Sequence, residues 1–364
     1  MLKSLRNRAG GLAHRLNLLR KPSAPVCLVA DGRDWALDQV AQAMADAINA
    51  RHPEAACVVD SVAHLRNRVV HFMSRNLWLG RAGGLHDSNR VVVTSLHGVP
   101  EDGPGLAGEI RNFIERASEI DRITTSNRLL FERLLSWGIA PGKLAIVPLG
   151  VDGRLFRPAA PEARRLAKET MGLPLGLPCI GSFQKDGDGW GEGMSPKLVK
   201  GPDIFLGALE RLCERRRFCV LLTGPARGYV KSGLERLGIE YRHVMADGLE
   251  DIARCYHALD LYVIGSRDEG GPLGLVQSLA SGVPIVATRC GMVPDAIRHG
   301  ENGFIAENMS PAALGEYAEE ILGNPQLALR FGQQGLESAR LFDWKKIADD
   351  SWEEVYRPLI RSYA

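Results

Sequence analysis

Between an apolar run, Leu261 to Ile264, and a helical stretch, Leu273 to Ser281, the chain reads Ser266-Arg267-Asp268-Glu269-Gly270-Gly271-Pro272. Gly270 and Gly271 let the backbone approach a ligand closely. A proline at the start of a helix leaves the first-turn N–H groups and the positive helix end pointing outward, beside Leu273. That chemistry holds an anion. Glu269 next to it would repel the same anion, so a hydroxyl-bearing neighbour such as a sugar is its better partner. Gln277, about two helical turns further on, can meet a second set of hydroxyls.

A second loop, Ser182 to Gly193, contains Lys185 and four glycines, and Lys200-Gly201 follows before another helix. Mobile cations on a flexible cradle suit a diphosphate leaving group where no metal is used. The aspartates lack calcium-loop spacing and no paired histidines occur, so no metal site and no cofactor are expected. Plainer readings stand beside these. The glycines can be turn residues, Trp190, which could stack on a sugar, can instead pack its own loop, and Arg215-Arg216-Arg217 can complement a helix C-terminus.

These loops need elements to hold them, and the pattern supplies alternating apolar runs and amphipathic stretches, which indicates parallel β-α-β units. Strands are expected at 26–30, 91–95, 123–125 and 144–148 in the first half. In the second half they are expected at 179–183, 218–223, 240–244, 261–264, 284–287 and 303–305. Helices are predicted at 34–50, at 106–117 and from Ser126, as cap, to Trp137. A Pro-rich, charged segment at 154–176 with a short helix inside it is expected as the linker. Open sheets of this kind bind ligands beyond the carboxyl ends of their strands, and two facing halves leave a cleft there. The loops to inspect therefore include Asp31-Gly32, His97-Gly98, Gly150-Val151-Asp152 and Gly224 to Gly228, the last containing Arg227.

The 364 residues exceed what one hydrophobic core usually serves. With 45% hydrophobic and 24% charged residues, a globular fold is expected. A net charge of +2 argues against a whole-surface trap for nucleic acid. The 7 cysteines are scattered without a C-x-x-C pair, as for thiols in a reducing compartment. No long apolar run or secretory h-region occurs, so a cytoplasmic protein is expected. Residues 1–21 form a basic leader in which Leu2, Leu5, Ala9, Leu12, Leu16 and Leu19 recur at helical spacing among six unbalanced cations. It could anchor peripherally on the anionic inner face of a membrane, or dock on the body.

Taken together, several phrases resemble the retaining GT-B glycosyltransferases of the family 4 group, the glycosyl transferases group 1. They are Thr94 to Gly98, Val147 to Asp152, Ser266 to Gly282, Pro284 to Thr288 with Gly291, Gly300 to Phe304, and Phe342 to Ile347 with Tyr356. The resemblance implies an α/β fold of two Rossmann-like doubly wound domains facing across a cleft. Its parts are a 22–153 acceptor domain, the 154–176 linker, a 177–340 nucleotide-sugar domain and a 341–364 segment returning to the first domain.

It also implies transfer of a sugar, with retention, from a nucleoside-diphosphate sugar to a hydroxyl of a glycan, lipid-linked sugar or glycoside, as in polysaccharide biosynthesis. By position, Glu269 matches the first acid of the E-x7-E motif, and Gln277 stands where the second acid normally holds ribose. Lys200 matches the diphosphate lysine. Ser182 stands where an arginine is usual, and Lys185 can substitute for it. His97 matches a residue lining the donor-sugar site. Glu269, His97, Lys200 and Lys185 are thus the catalytic candidates. Ser182, Gly224, Arg227, Gly270, Gly271, Pro272, Leu273 and Gln277 are those for donor binding. Gln277 and Ser182 also motivate a rival reading, a catalytically inactive binding or scaffold subunit. Loops at 31–35 and 71–78 are expected to read the acceptor.

Overall fold

The computed structural model describes residues 23–32 and 36–362. The leader at 1–21 and part of the expected acceptor loop, 33–35, lie outside them. The chain forms two compact units. One comprises residues up to Thr125, Phe131–Val147 and Trp344 onward, and the other comprises Ser126–Leu130 and Pro148–Asp343.

The first unit is built on six parallel strands. These are β1 (Val26–Val29), β2 (Ala56–Val59), β3 (Val69–Phe72), β4 (Arg90–Thr94), β5 (Arg122–Thr125) and β6 (Leu144–Ile146), in the order β2-β1-β3-β4-β5-β6. The sequence pattern anticipated four of them. It missed β2, a four-residue edge strand, and β3, whose apolar run is interrupted by His71. This overturns the expectation of an acceptor loop at 71–78. His71 lies inside β3, and Arg75–Arg81 is a helix whose Trp78 is buried against Phe113. The loop is confined to the turn between them.

A polar ladder runs through this core. His71 Nδ1 lies 2.7 Å from the Tyr356 hydroxyl and Nε2 lies 2.7 Å from Thr94 Oγ1, which is itself 2.9 Å from Thr124 Oγ1. Buried polar groups need such partners, and this set joins β3, β4 and β5 to the C-terminal segment. That segment packs helix Trp344–Ser351 on helix Ala36–Arg51, stacks Trp352 on His52 at 4.2 Å, and delivers Tyr356 through a π-helical turn, Trp352–Tyr356. The return of the chain end to the first unit follows the sequence expectation.

Burial pushes His71 down to about 3 from its usual 6.5. The unfolded chain therefore takes up a proton below pH 6.5 that the folded chain refuses until about pH 3. Stability is unaffected above pH 6.5 and declines as pH falls across that window, at up to about 1.4 kcal/mol per pH unit. In urea titrations between pH 4 and 6, His71→Gln is expected to show a shallower decline than the parent protein. Equal slopes would show that His71 is not the group responsible.

The second unit carries β7 (Cys179–Phe183), β8 (Cys219–Thr223), β9 (Glu240–Val244), β10 (Leu261–Ile264), β11 (Ile285–Thr288) and β12 (Phe304–Ala306), also parallel. Alternate residues feed two cores. Along β8, Cys219 and Leu221 enter one cluster while Val220 and Leu222 enter the other, as expected of strands buried on both faces. The order β12-β11-β10-β7-β8-β9 reverses direction between β7 and β10. Such a reversal is where open α/β sheets bind ligands, because the loops leaving the two central strands diverge and leave a crevice.

Residues 154–176, expected as a linker, lie within this unit. Helix Pro161–Thr170 is fastened there by Arg164 and Lys168, which reach the two oxygens of Asp260 at 2.7 and 2.8 Å. No helix among the described residues is long and apolar enough to cross a membrane.

Candidate functional site

The loops that follow β7 and β10 meet at this reversal. After β7 the chain makes an excursion to a short 3-10 turn, Leu198–Lys200, and enters helix Pro202–Cys213 through Gly201. Gly201 has φ +63, and a Cβ there would fall 1.8 Å from the Gly265 carbonyl oxygen, so only glycine permits the approach. After β10, residues 265–272 lead into helix Leu273–Ala280 with Pro272 at its N-cap and no side-chain cap.

The two loops are clipped together by backbone and charge. Arg267 N donates to Val199 O at 2.9 Å, and the Arg267 guanidinium makes a two-point pair with Asp203 at 2.7 and 2.6 Å. That cation holds the Asp203 carboxyl below its usual range.

Within the clip, Lys200 and Glu269 face each other at 2.5 Å. Glu269 is only 5% exposed, and its other oxygen accepts from Ser266 Oγ at 2.9 Å. Gln184 Nε2 donates to the Lys200 carbonyl at 2.9 Å, joining the start of the β7 loop to the same network. The structure therefore brings the two leading candidates together and adds Ser266 and Gln184.

It also adds Lys197, which the sequence reading passed over. Burial lowers its affinity for protons, and the neighbouring charges of Lys200 and Lys185 lower it further, while Asp188 and Glu269 oppose them. Three lysines of one loop thus share a local field.

Gly291, at φ +48, lies against this site, since a Cβ there would come 2.9 Å from both Cβ and O of Glu269. On the other side, the Gly270 carbonyl accepts from Ser126 Oγ and, at 2.6 Å, from Asn127 Nδ2, both side chains being buried. Asn127 Oδ1 also accepts from Leu130 N at 2.9 Å. It is therefore Asn127, rather than Ser126, that caps the helix beginning at Arg128, because it is the residue directly before the first turn. Gly271 packs against Leu149 and Met292, and Gly271, Pro272 and Leu273 are half-buried at the helix entrance.

Gln277 lies on this helix, 8% exposed, and its Oε1 accepts from the buried Tyr256 hydroxyl at 3.2 Å. Gly224 is half-buried, with its carbonyl 2.7 Å from His243 Nε2.

Ser182 and Arg227 require correction. Each is 1% exposed. Arg227 donates to Ser182 O at 2.6 Å, Thr223 O at 2.8 Å and Ser182 Oγ at 3.1 Å, and its Nε lies 3.0 Å from Asp186 Oδ1. Enclosed in this way, they form a wall behind the loop and do not present a ligand-contacting surface. Lys185 places its ammonium 3.8 Å above the Trp190 ring.

His97 belongs to the first unit, in the turn after β4. Its carbonyl accepts from Arg75 at 2.9 Å, and Arg75, itself buried, pairs with Glu109 at 2.6 Å. Nothing in the sequence pattern near residue 75 marked this arginine as the support of a loop some twenty residues away.

Residues 196–338 match the sequence profile of the family described as Glycosyl transferases group 1. The chain is 25% identical over 296 residues to the D-inositol 3-phosphate glycosyltransferase of Corynebacterium efficiens, covering 77% of this chain and 66% of that protein. It is 29% identical over 315 residues to D-inositol 3-phosphate glycosyltransferase 1 of Catenulispora acidiphila, covering 78% and 71% respectively. It thus spans about two thirds of the length of these curated relatives.

Among solved structures, sucrose-phosphate synthase from Thermosynechococcus elongatus superposes with a TM-score of 0.75 at 16% identity, over 93% of this chain and 100% of that one. Anabaena HepE in complex with UDP and glucose gives 0.73 at 15% identity, over 91% and 98%. At such identities these structures bear on the fold, which is that of the GT-B glycosyltransferases. The profile match lies within the second unit, and there the chain is similar to the glycosyl transferases of group 1.

Proposed function

We propose that this protein transfers a sugar from a nucleoside-diphosphate sugar to a hydroxyl of a glycan, lipid-linked sugar or glycoside. The observation that carries the reading is the half-buried Lys200 paired with the buried Glu269 at the strand-order reversal of the second unit, beside the start of helix Leu273–Ala280. As the bond from the anomeric carbon to the diphosphate breaks, negative charge grows on the departing phosphate oxygen. On this reading Lys200, Lys197 and the helix start meet that charge, and no metal is called for. A diphosphate drawing on Lys200 leaves Glu269 Oε2 available to a sugar hydroxyl. The new bond forms to the acceptor oxygen, whose proton passes to the leaving phosphate. Attack on the face that the phosphate leaves retains the anomeric configuration.

The HepE complex with UDP and glucose makes a uridine diphosphohexose the first donor to try. Gln277 bears on its affinity. A glutamine whose Oε1 already accepts from Tyr256 offers ribose hydroxyls less than a carboxylate would, and hydrogen bonds to charged groups are roughly twice as strong as neutral ones.

Calorimetric titration with a panel of nucleotide sugars is expected to find one that binds and is slowly hydrolysed. Gln277→Glu is expected to bind the same nucleotide about five- to tenfold more tightly. Absence of binding and of hydrolysis across the whole panel would overturn the proposal and favour a scaffold subunit.

A further inference from the structure

The excursion between β7 and the 3-10 turn at 198–200 is a docked hairpin. Gly187 and Pro196 form an antiparallel bridge, Asp188 N donates to Ser195 O at 2.9 Å, and Lys197 N donates to Asp186 O at 2.8 Å. One side is fastened to the first turn of helix Gly228–Arg236, which follows β8, through Gly228 N to Glu192 O at 2.7 Å and Tyr229 N to Gly193 O at 2.9 Å. Beneath it lies the enclosed contact between Asp186 and Arg227. A segment tied at so many points holds its tip in place.

That tip carries Trp190 with 60% of its surface exposed. Tryptophan is among the most buried residues on average, so a large indole with most of its surface exposed on a fixed hairpin is the informative case. Its immediate neighbours are Gly189 and Gly191, which add no bulk beside the ring. Asp188 and the exposed Glu192 supply acceptors, and the Lys185 ammonium over the ring supplies donors. An aromatic face is electron-rich and attracts the polarised C–H bonds of a sugar ring, while flanking carboxylates and an ammonium satisfy the hydroxyls around its rim. The two carboxylates on the tip oppose docking on an anionic bilayer, which would want cations there. The same hairpin ends at Lys197, whose carbonyl accepts from Lys200 N at 2.8 Å, so its base joins the proposed donor site.

We infer that the hairpin 186–197 is a saccharide subsite in which a pyranose ring stacks on Trp190, a role that rests on the reading of the second unit as a sugar-transfer site. The ring can come from a free glycoside, as an acceptor would present it, or from the sugar of the donor itself.

Saturation-transfer NMR with methyl α-glucoside, methyl α-mannoside, cellobiose and maltose, with and without UDP, tests the subsite. UDP-glucose forms the second arm. At least one free glycoside is expected to bind whether or not UDP is present. Trp190→Ala is expected to weaken that binding about tenfold, and Trp190→Tyr to recover most of it. UDP affinity is expected to stay unchanged in both variants. A loss in Trp190→Ala confined to UDP-glucose, with UDP itself unaffected, would assign the ring to the donor sugar.

Equal glycoside binding by Trp190→Ala and the parent would overturn the subsite, as would the absence of both glycoside binding and any UDP-glucose loss. A parallel loss of UDP affinity would make the indole a nucleobase platform. A loss seen only in flotation with phosphatidylglycerol vesicles would make it a membrane contact. Glycoside binding without any UDP binding would strike the donor reading and leave the subsite standing.

Discussion

Replacing Lys200 by methionine is expected to lower turnover of the preferred nucleotide sugar about 10²- to 10³-fold, the loss typical of one preorganised group that meets developing negative charge. Gly201 and the clip from Arg267 to Asp203 fix the backbone around Lys200. Glu269→Gln keeps the shape of the side chain and its capacity to accept from Ser266, but removes the charge. It too is expected to slow transfer by orders of magnitude.

Stability needs a separate readout, because the Lys200 variant leaves a buried carboxylate without its cation, and losing one member of a buried pair can cost about 3–5 kcal/mol. The double variant Lys200→Met/Glu269→Gln separates the two effects. Its urea midpoint is expected to return toward that of the parent, while its turnover stays as low as that of the worse single variant. Near-normal rates in both single variants would show that the chemistry lies elsewhere. A double variant no more stable than Lys200→Met would show that the pair is not what holds the site.

Why these two residues were legible from sequence, and others were not, follows from where the information lies. Glu269 and Lys200 each sit in a local phrase, a glycine-rich turn before a helix, and such phrases are set by backbone requirements within a few residues. Most strands of the second unit were legible for a similar reason, since each except the polar β9 is a short apolar run bounded by turn residues. Arg75, Ser126, Asn127 and Gln184 act through carbonyls that are distant in sequence or on another element, at His97, Gly270 and Lys200. No local pattern encodes such a partner.

Arg227 shows the converse error. A loop cation beyond the carboxyl end of a strand looks like a ligand contact, but the buried Asp186 draws it inward. His71 was misjudged because a histidine in a short apolar run reads as a break, whereas Tyr356, Thr94 and Thr124 satisfy it inside a strand. Trp190 reads from sequence either as a sugar-stacking ring or as packing for its own loop, and the structure leaves it exposed at the tip with Lys185 of that loop over its ring.

The Asp186–Arg227 pair carries the second large effect. Both side chains are enclosed, at 1% and 0% exposure, and the 3.0 Å contact lies off the N–H direction, so charge more than hydrogen-bond geometry joins them. Burial pushes the Asp186 carboxyl up in spite of the nearby cation, and it pushes Arg227 down. Desolvation therefore outweighs attraction at this site.

The two single losses should then differ in kind. An arginine cannot shed its proton in a protein, so Asp186→Ala strands a charge whose remaining partners are the Ser182 and Thr223 carbonyls and Ser182 Oγ. A loss of about 3–5 kcal/mol is expected. Arg227→Met strands a carboxyl that can take up a proton and become neutral. Its folded-state affinity for protons lies above that of the unfolded chain. Its penalty therefore shrinks as pH falls from the folded value toward about 4, and is full only above that window.

Asp186→Ala/Arg227→Met removes both charges and is expected to lose much less than the sum of the single variants. Urea midpoints at pH 5 and pH 8 read all three comparisons. Additive losses would show that the groups do not act as a pair. A pH-independent Arg227→Met deficit would show that Asp186 stays ionised in the fold, against the direction in which its burial pushes it.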